Sequence, residues 1–286
     1  MPEVLTIRIG DVSIAIDGER VEGNGRLLSS YSPFIGNGRV DIRLRLHCGI
    51  PDNFSMGERV FACPPMWTLY RRDGSSIITI CNQGAGLERA LVLSPEIDEA
   101  QLYIARETRF LGDPFYGPTM ELLLLHYLSR GRGAILHACA VNRKGKGILF
   151  IGESGAGKST LAGIWQANGA GEVVSDDRAI VRTQGNRFRM YGTPWHGDAR
   201  LGLPGGVPLT RIFFLRHGSV NAVKDLAGID PVARLLTCSF LPHWDPQGVT
   251  FGMDFFTGLA ARVPCQELFF KPDRSALHFI EKIMDV

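Results

Sequence analysis

Phe150-Ile151-Gly152-Glu153-Ser154-Gly155-Ala156-Gly157-Lys158-Ser159-Thr160 is the stretch on which the reading of this chain turns. Gly152, Gly157, Lys158 and Ser159 fall on the spacing of a phosphate loop. Glycines let consecutive backbone N–H groups turn inward on a polyphosphate, the lysine sets a positive charge at the outer phosphates, and the hydroxyl can ligate Mg²⁺. The same letters could also make a plain glycine-rich turn, so the flanks decide. Residues 147–151 (Gly-Ile-Leu-Phe-Ile) form a short apolar run of strand type, and residues 159–167 carry Leu161, Ile164 and Trp165 on one side of a helix. Strand, glycine loop and helix is the order the motif requires. Gly152, Ser154, Gly155, Ala156, Gly157, Lys158, Ser159 and Thr160 are therefore the expected nucleotide contacts, with ATP and Mg²⁺ as the expected ligands.

The chain is 286 residues long and 45 % hydrophobic, enough for one large or two ordinary domains. Its net charge of +2, with 21 % charged residues, gives no overall field that would gather nucleic acid or acidic membrane. Cys48, Cys63, Cys81, Cys139, Cys238 and Cys265 show neither a CxxC pair nor metal-type spacing, and they read as reduced thiols of a cytoplasmic protein. The opening residues lack a signal peptide's basic and apolar regions. No run approaches the roughly eighteen apolar residues of a spanning helix. Neither export nor a membrane span is expected.

Residues 1–112 alternate short apolar runs with Gly, Asn, Asp and Pro: 4–9, 12–16, 40–46, 66–70, 77–81, 90–93 and 101–105. That is a β-rich pattern, with Asp17-Gly18 and Asp73-Gly74 placed as hairpin turns. Composition shifts to Gly, Asp and Pro over residues 111–118. A mostly buried helix is then predicted over 119–129, so the division falls between a region 1–113 and a region 114–286. From there the expected order is strand 134–141, turn, strand 147–151, loop, helix and strand 172–175. A hairpin follows with arms at 179–183 and 187–191, and then a Gly/Pro-rich stretch over 192–208. The chain continues with strand 211–215, helices near 231–239 and 252–261, strand 265–270 and helix 273–283.

Phosphoryl chemistry needs a carboxylate for the metal and a group to position the attacking atom. Asp176-Asp177 directly follow the apolar pair Val173-Val174, at the carboxyl end of a strand on the loop's side of the sheet. One could hold Mg²⁺ with Ser159 while the other takes a proton from an incoming hydroxyl, and spacing does not say which; Asp176 is a candidate for both roles. A solvated turn or helix cap would use the same residues. Arg178 more naturally pairs with a carboxylate than with phosphate. His137, inside an apolar strand, is on chemistry alone more often a core histidine than a catalytic one. His196, Asp198 and Arg200 sit in a Gly/Pro-rich loop suited to a substrate, and Arg200 is a candidate for stabilising phosphoryl charge. His47, His126, His217, His243 and His278 have no companions at ligand spacing and receive no role.

With Leu136-His137-Ala138, the loop 152–160, Val174-Ser175-Asp176-Asp177 and Gly192-Thr193-Pro194-Trp195-His196-Gly197 in one order, residues 130–216 resemble the HPr serine kinase/phosphorylase family. They look more closely like the looser group of HPr-kinase-related proteins. The resemblance implies an α/β fold, a phosphate-loop kinase core shared with phosphoenolpyruvate carboxykinase, preceded here by the β-rich region. It also implies a site role for His137, phosphate and Mg²⁺ binding by Lys158 and Ser159, and a base drawn from Asp176-Asp177. This chain has Thr160 where the family's loop usually has an acidic residue. Arg200-Leu201-Gly202 is a faint echo of the family's later Arg-Gly-Leu-Gly segment.

The expectation is an ATP-dependent kinase moving a γ-phosphoryl group to a hydroxyl of a peptide, protein or small molecule, with homo-oligomeric assembly left open. The alternative is a nucleotide-binding sensor without turnover. A third reading, a carboxykinase-like enzyme, would need ligands for a second metal ion, and the sequence offers no convincing Lys/His/Asp set. An inert binder has no need of the second carboxylate at the strand end, which favours the kinase.

Overall fold

The structure, a computed structural model, describes residues 4–18, 30–82, 86–106, 115 and 117–284. The protein is mixed α/β, and the chain divides into two units, one of residues 1–8 and 12–127 and the other of residues 9–11 and 128–286. The division expected between residues 113 and 114 lies outside the described residues.

The first unit is built on an eight-stranded sheet. Its strands are β1 (Leu5–Ile9), β2 (Val12–Gly18), β3 (Ile42–Cys48), β4 (Glu58–Cys63), β5 (Trp67–Arg72), β6 (Ser75–Asn82), β7 (Gly86–Leu93) and β8 (Glu99–Ile104), in the order β1-β2-β3-β8-β7-β6-β5-β4. Period-two burial explains strands such as β3, where Ile42 and Leu44 are buried while Arg43 and Arg45 are exposed. Asp73 and Gly74 both have positive φ and join Arg72 to its partner Ser75, a two-residue hairpin as expected. Asp17-Gly18 is a correction: these residues belong to β2 and pair in parallel with β3, opposite Arg45 and Leu46. Glycine serves a close approach there instead of a turn, since a Cβ on Gly18 would stand 2.3 Å from the Leu46 carbonyl oxygen. Helix α1 (Thr119–Leu128) appears where it was predicted, with Met120, Leu123 and Leu124 fully buried, and all but its last residue falls with this unit.

The second unit follows the predicted order closely. It runs β9 (Ala134–Arg143), β10 (Lys146–Ile151), α2 (Lys158–Asn168), β11 (Glu172–Ser175), β12 (Arg178–Gln184), β13 (Arg187–Tyr191), β14 (Gly206–His217), β15 (Ala222–Asp225), α3 (Asp230–Thr237), β16 (Ser239–Phe240), α4 (Pro246–Arg262), β17 (Cys265–Phe270) and α5 (Arg274–Met284). Two long strands tie it together. β9 pairs with β12 through residues 134–137 and with β10 through residues 138–143; β14 pairs with β13 through residues 206–208 and with β10 through residues 209–214. The pairings β9–β10, β10–β14, β14–β13, β13–β12 and β12–β9 thus close a circuit. β10 has an antiparallel neighbour in β9 and a parallel one in β14.

Both faces of β10 are covered, which is why it reads as a continuous apolar run. Leu149 and Ile151 join Val232 and Leu235 of α3 and Phe255, Phe256 and Leu259 of α4 in one core. Ile148 and Phe150 join Leu161, Ala162 and Trp165 of α2 and Ala276, Leu277 and Ile280 of α5 in another. The segment after β10 is therefore aimed by a strand fixed from both sides.

Candidate functional site

After β10 the chain enters the glycine loop, and α2 starts at Lys158. Gly155 and Gly157 have φ values of 81° and 97°, a region costly for any residue with a Cβ. No side chain caps the first turn of α2. Lys158 is buried, and its Nζ donates to the carbonyl oxygens of Gly152 at 2.7 Å and Glu153 at 3.1 Å. Burial pushes this ammonium below its ordinary value, opposed by the negative charge of Asp177. Ser159 and Thr160 are exposed on the first turn of α2.

The two aspartates lie between β11 and β12 and have different surroundings. Asp177 faces His137, whose Nε2 stands 3.0 Å from Asp177 Oδ1, and its other oxygen accepts from Arg178. Strand register accounts for this, because His137 on β9 lies opposite Arg178 on β12. The hydrogen bond from His137 is the main cause that holds the Asp177 carboxyl below its ordinary range; burial opposes it, and the charges of Arg178 and Lys158 reinforce it. Asp176 is almost fully buried, and its two oxygens accept from the backbone N–H groups of Gly197 and Ala199, each at 2.9 Å. It fastens the segment that carries His196, Asp198 and Arg200. That segment passes close over the pair: a Cβ on Gly197 would stand 3.2 Å from Asp177 Cβ.

Of the residues singled out from the sequence, His137 and Asp177 are paired, Arg178 pairs the same carboxylate as expected, and the charge of Asp177 reaches Lys158 without a bond between them. His196, Asp198 and Arg200 are exposed, and Arg200 sits at a positive φ of 54° in a turn closed by its N–H on the Gly197 carbonyl oxygen. Their side chains are not among those bonded to the Lys158, Asp177 and His137 group.

Beside the loop opens a cavity of about 440 Å³, lined by Glu153, Phe214, Arg216, His217, Arg234 and Cys238 among others. Sequence alone assigns none of these residues a role in the site, and it sets His217 aside for want of companions at ligand spacing. Arg216 Nε and Arg234 Nη1 converge on one oxygen of the buried Glu267, at 3.1 and 2.7 Å. The bond from Arg234 does most to hold the Glu267 carboxyl below its ordinary value. Arg216 and His217 share a usable signal, their place at the carboxyl end of a strand running parallel to β10. Cys139 and Cys238, nearest this region, are pushed up by burial and are poor nucleophiles. All six cysteines are thiols and none is joined in a disulfide. Among the described residues, no helix is long and apolar enough to cross a membrane.

No protein-family model matches the chain, and no curated protein does. Among solved structures it is similar to the Hpr(Ser) kinase/phosphatase from Coxiella burnetii, at 11 % identity over 53 % of this chain and 94 % of that one, with a TM-score of 0.30.

Proposed function

We propose that this chain is an ATP-dependent kinase of the HPr-kinase-related kind, built on a phosphate-loop core, that transfers the γ-phosphoryl group to a hydroxyl of a peptide, protein or small molecule. One observation carries the reading. A cation bonded within the glycine loop, Lys158, feels the charge of a carboxylate held by histidine, Asp177 with His137. A donor polyphosphate needs the first, and an acceptor hydroxyl needs the second.

The residues fit the donor. Gly155 and Gly157 adopt the backbone that frees N–H groups for phosphate, and the adjacent cavity has room for a nucleoside. Lys158 would exchange its two carbonyl partners for phosphate oxygens. Ser159 offers an exposed hydroxyl for Mg²⁺, an ion that keeps most of its shell as water and phosphate oxygen. When bound, Mg²⁺ offsets charge on the outer phosphates. Asp176 was expected to share that duty, but its buried oxygens already accept two backbone N–H groups, so we assign it to holding the 194–200 segment.

Asp177 is the acceptor-facing carboxylate in this reading. A carboxyl held below its ordinary range is a weak proton sink and a strong hydrogen-bond acceptor. That suits a loose phosphoryl transfer, in which positioning the hydroxyl matters more than early proton removal. His137 and Arg178 keep the carboxylate in one orientation. The test pairs two variants: Lys158→Ala is expected to lose ATP binding, and Asp177→Asn to bind ATP within about threefold of the parent while transfer of γ-label falls at least about 100-fold. The acceptor is identified by which component of a host lysate takes up label. Label on nothing, with ATP bound, would replace the kinase with a nucleotide sensor, and ATP binding by Lys158→Ala at parental affinity would remove the site.

A further inference from the structure

Glycine loses more conformational freedom on being fixed than any other residue, so a glycine loop that is ordered before its ligand arrives binds more tightly than one ordered on binding. In this chain the loop is propped from β14 and β17. Their parallel register sets the two last residues, His217 and Phe270, side by side, ring over ring at 5.9 Å and 28°. His217 Nε2 lies 2.8 Å from the Gly155 carbonyl oxygen. A carbonyl only accepts, so Nε2 carries a proton and donates it. Phe270 is fully buried and lies against the other glycine: a Cβ on Gly157 would stand 2.6 Å from Phe270 Cζ and 3.5 Å from His217 Cε1. The prop therefore meets the loop at the two glycines with left-handed backbone, by a hydrogen bond at one and by contact at the other.

We propose that His217 is a positioning residue for nucleotide binding: it holds the Gly155 carbonyl oxygen toward β14 and away from the phosphates, with Phe270 as its backing. The physical reason is the sign of the carbonyl dipole. A Gly155 oxygen swung toward the bound anion would oppose it, and the bond to Nε2 blocks that rotation. Sequence spacing is silent about this role, because His217 stands far along the chain from the loop and reaches it only through the parallel pairing of β10 with β14. The identity of the ligand rests on the kinase reading above; the prop itself does not.

The test uses the full chain with His217→Leu, which keeps apolar bulk and removes the donor, and His217→Gln, whose amide nitrogen takes the place of Nε2. Mg-ATP affinity is measured by calorimetric titration, and amide hydrogen exchange over residues 153–158 is followed in the nucleotide-free protein. His217→Leu should bind Mg-ATP about fivefold to tenfold more weakly, the size of one hydrogen bond, and His217→Gln within about twofold of the parent. Loop amides should exchange faster in the Leu variant and recover toward parental rates in the Gln variant, with melting temperatures nearly equal in all three. Parental affinity and exchange in His217→Leu would overturn the proposal, as would equal weakening by Leu and Gln, which would point to ring packing instead of the donor. A parent chain that binds no Mg-ATP would sink the kinase reading, and the exchange rates would then decide the prop alone.

Discussion

Asp176 and Asp177 are chain neighbours with opposite surroundings, and their variants should fail differently. Asp176→Asn removes an acceptor from a buried place where two N–H groups converge, so Gly197 or Ala199 is left with an unpaired donor. The expected cost is about 1–3 kcal/mol, read as a lower denaturant midpoint at unchanged slope. Asp177 instead carries a pH signature. Its carboxyl, lowered chiefly by the bond from His137, binds a proton less readily folded than unfolded. Its stabilisation is therefore fully present above the unfolded value of about 3.9 and is lost as pH falls through the lower folded value. Equilibrium unfolding followed from about pH 5 downward should show a shallower acid limb in Asp177→Asn, whereas His137→Ala should bring the loss to higher pH. An acid limb unchanged in both variants would refute the pairing. Sequence could place the two aspartates at a strand end but not separate them, because the two-residue bend between β11 and β12 decides which carboxylate goes inward. The positions of Lys158 and His137 were legible for the opposite reason, since one lies in a motif of fixed spacing and the other on a regular strand, although the role of His137 came only from the family resemblance.

At the scale of elements, the glycine loop keeps its aim because β10 and α2 are packed on a common core. Trp165 of α2 is fully buried and lies 6.2 Å, ring to ring, from Phe150 of β10, which in turn stacks on Phe213 of β14 at 5.7 Å. Trp165→Ala should cost about 3–5 kcal/mol in equilibrium unfolding. A much smaller loss would mean that α2 is not anchored through this side chain. Helix α4 offers a milder case. Asp245 caps it by accepting from Gln247 N–H at 3.2 Å, with Pro246 at the first helical position, and Asp245→Ala should cost about 1 kcal/mol. The helix was predicted to begin only at residue 252, although the Asp-Pro pair marks its true start; Gly248 and Gly252 obscured the periodic pattern. β4 and β15 were missed because they are edge strands with largely exposed faces, where no apolar alternation is required. β14 was foreseen only over 211–215, since its outer part, opening Gly206-Val207-Pro208, pairs with β13 inside a segment whose composition reads as loop.

The whole second unit depends on pairings that join residues far apart in sequence, and these were the least legible. β9 and β14 each serve two different neighbours along their length, and nothing in a local window tells a strand to change partners midway. The result is a closed circuit with β10 held on both edges and both faces, so the loop it feeds inherits the stability of the unit as a whole. If the proposed kinase binds nucleotide at that loop, binding must be linked to unfolding of the unit. Mg-ATP held at about 100 times its Kd should stabilise the folded state by about 2.7 kcal/mol through mass action. For a unit of this size that is a rise of roughly 5–10 °C in melting temperature, measured by calorimetry with and without nucleotide. Lys158→Ala, which removes the ammonium and its stem from the loop, should lose the rise. A rise that survives in Lys158→Ala would put the nucleotide elsewhere in the molecule, whatever the appearance of the glycine loop.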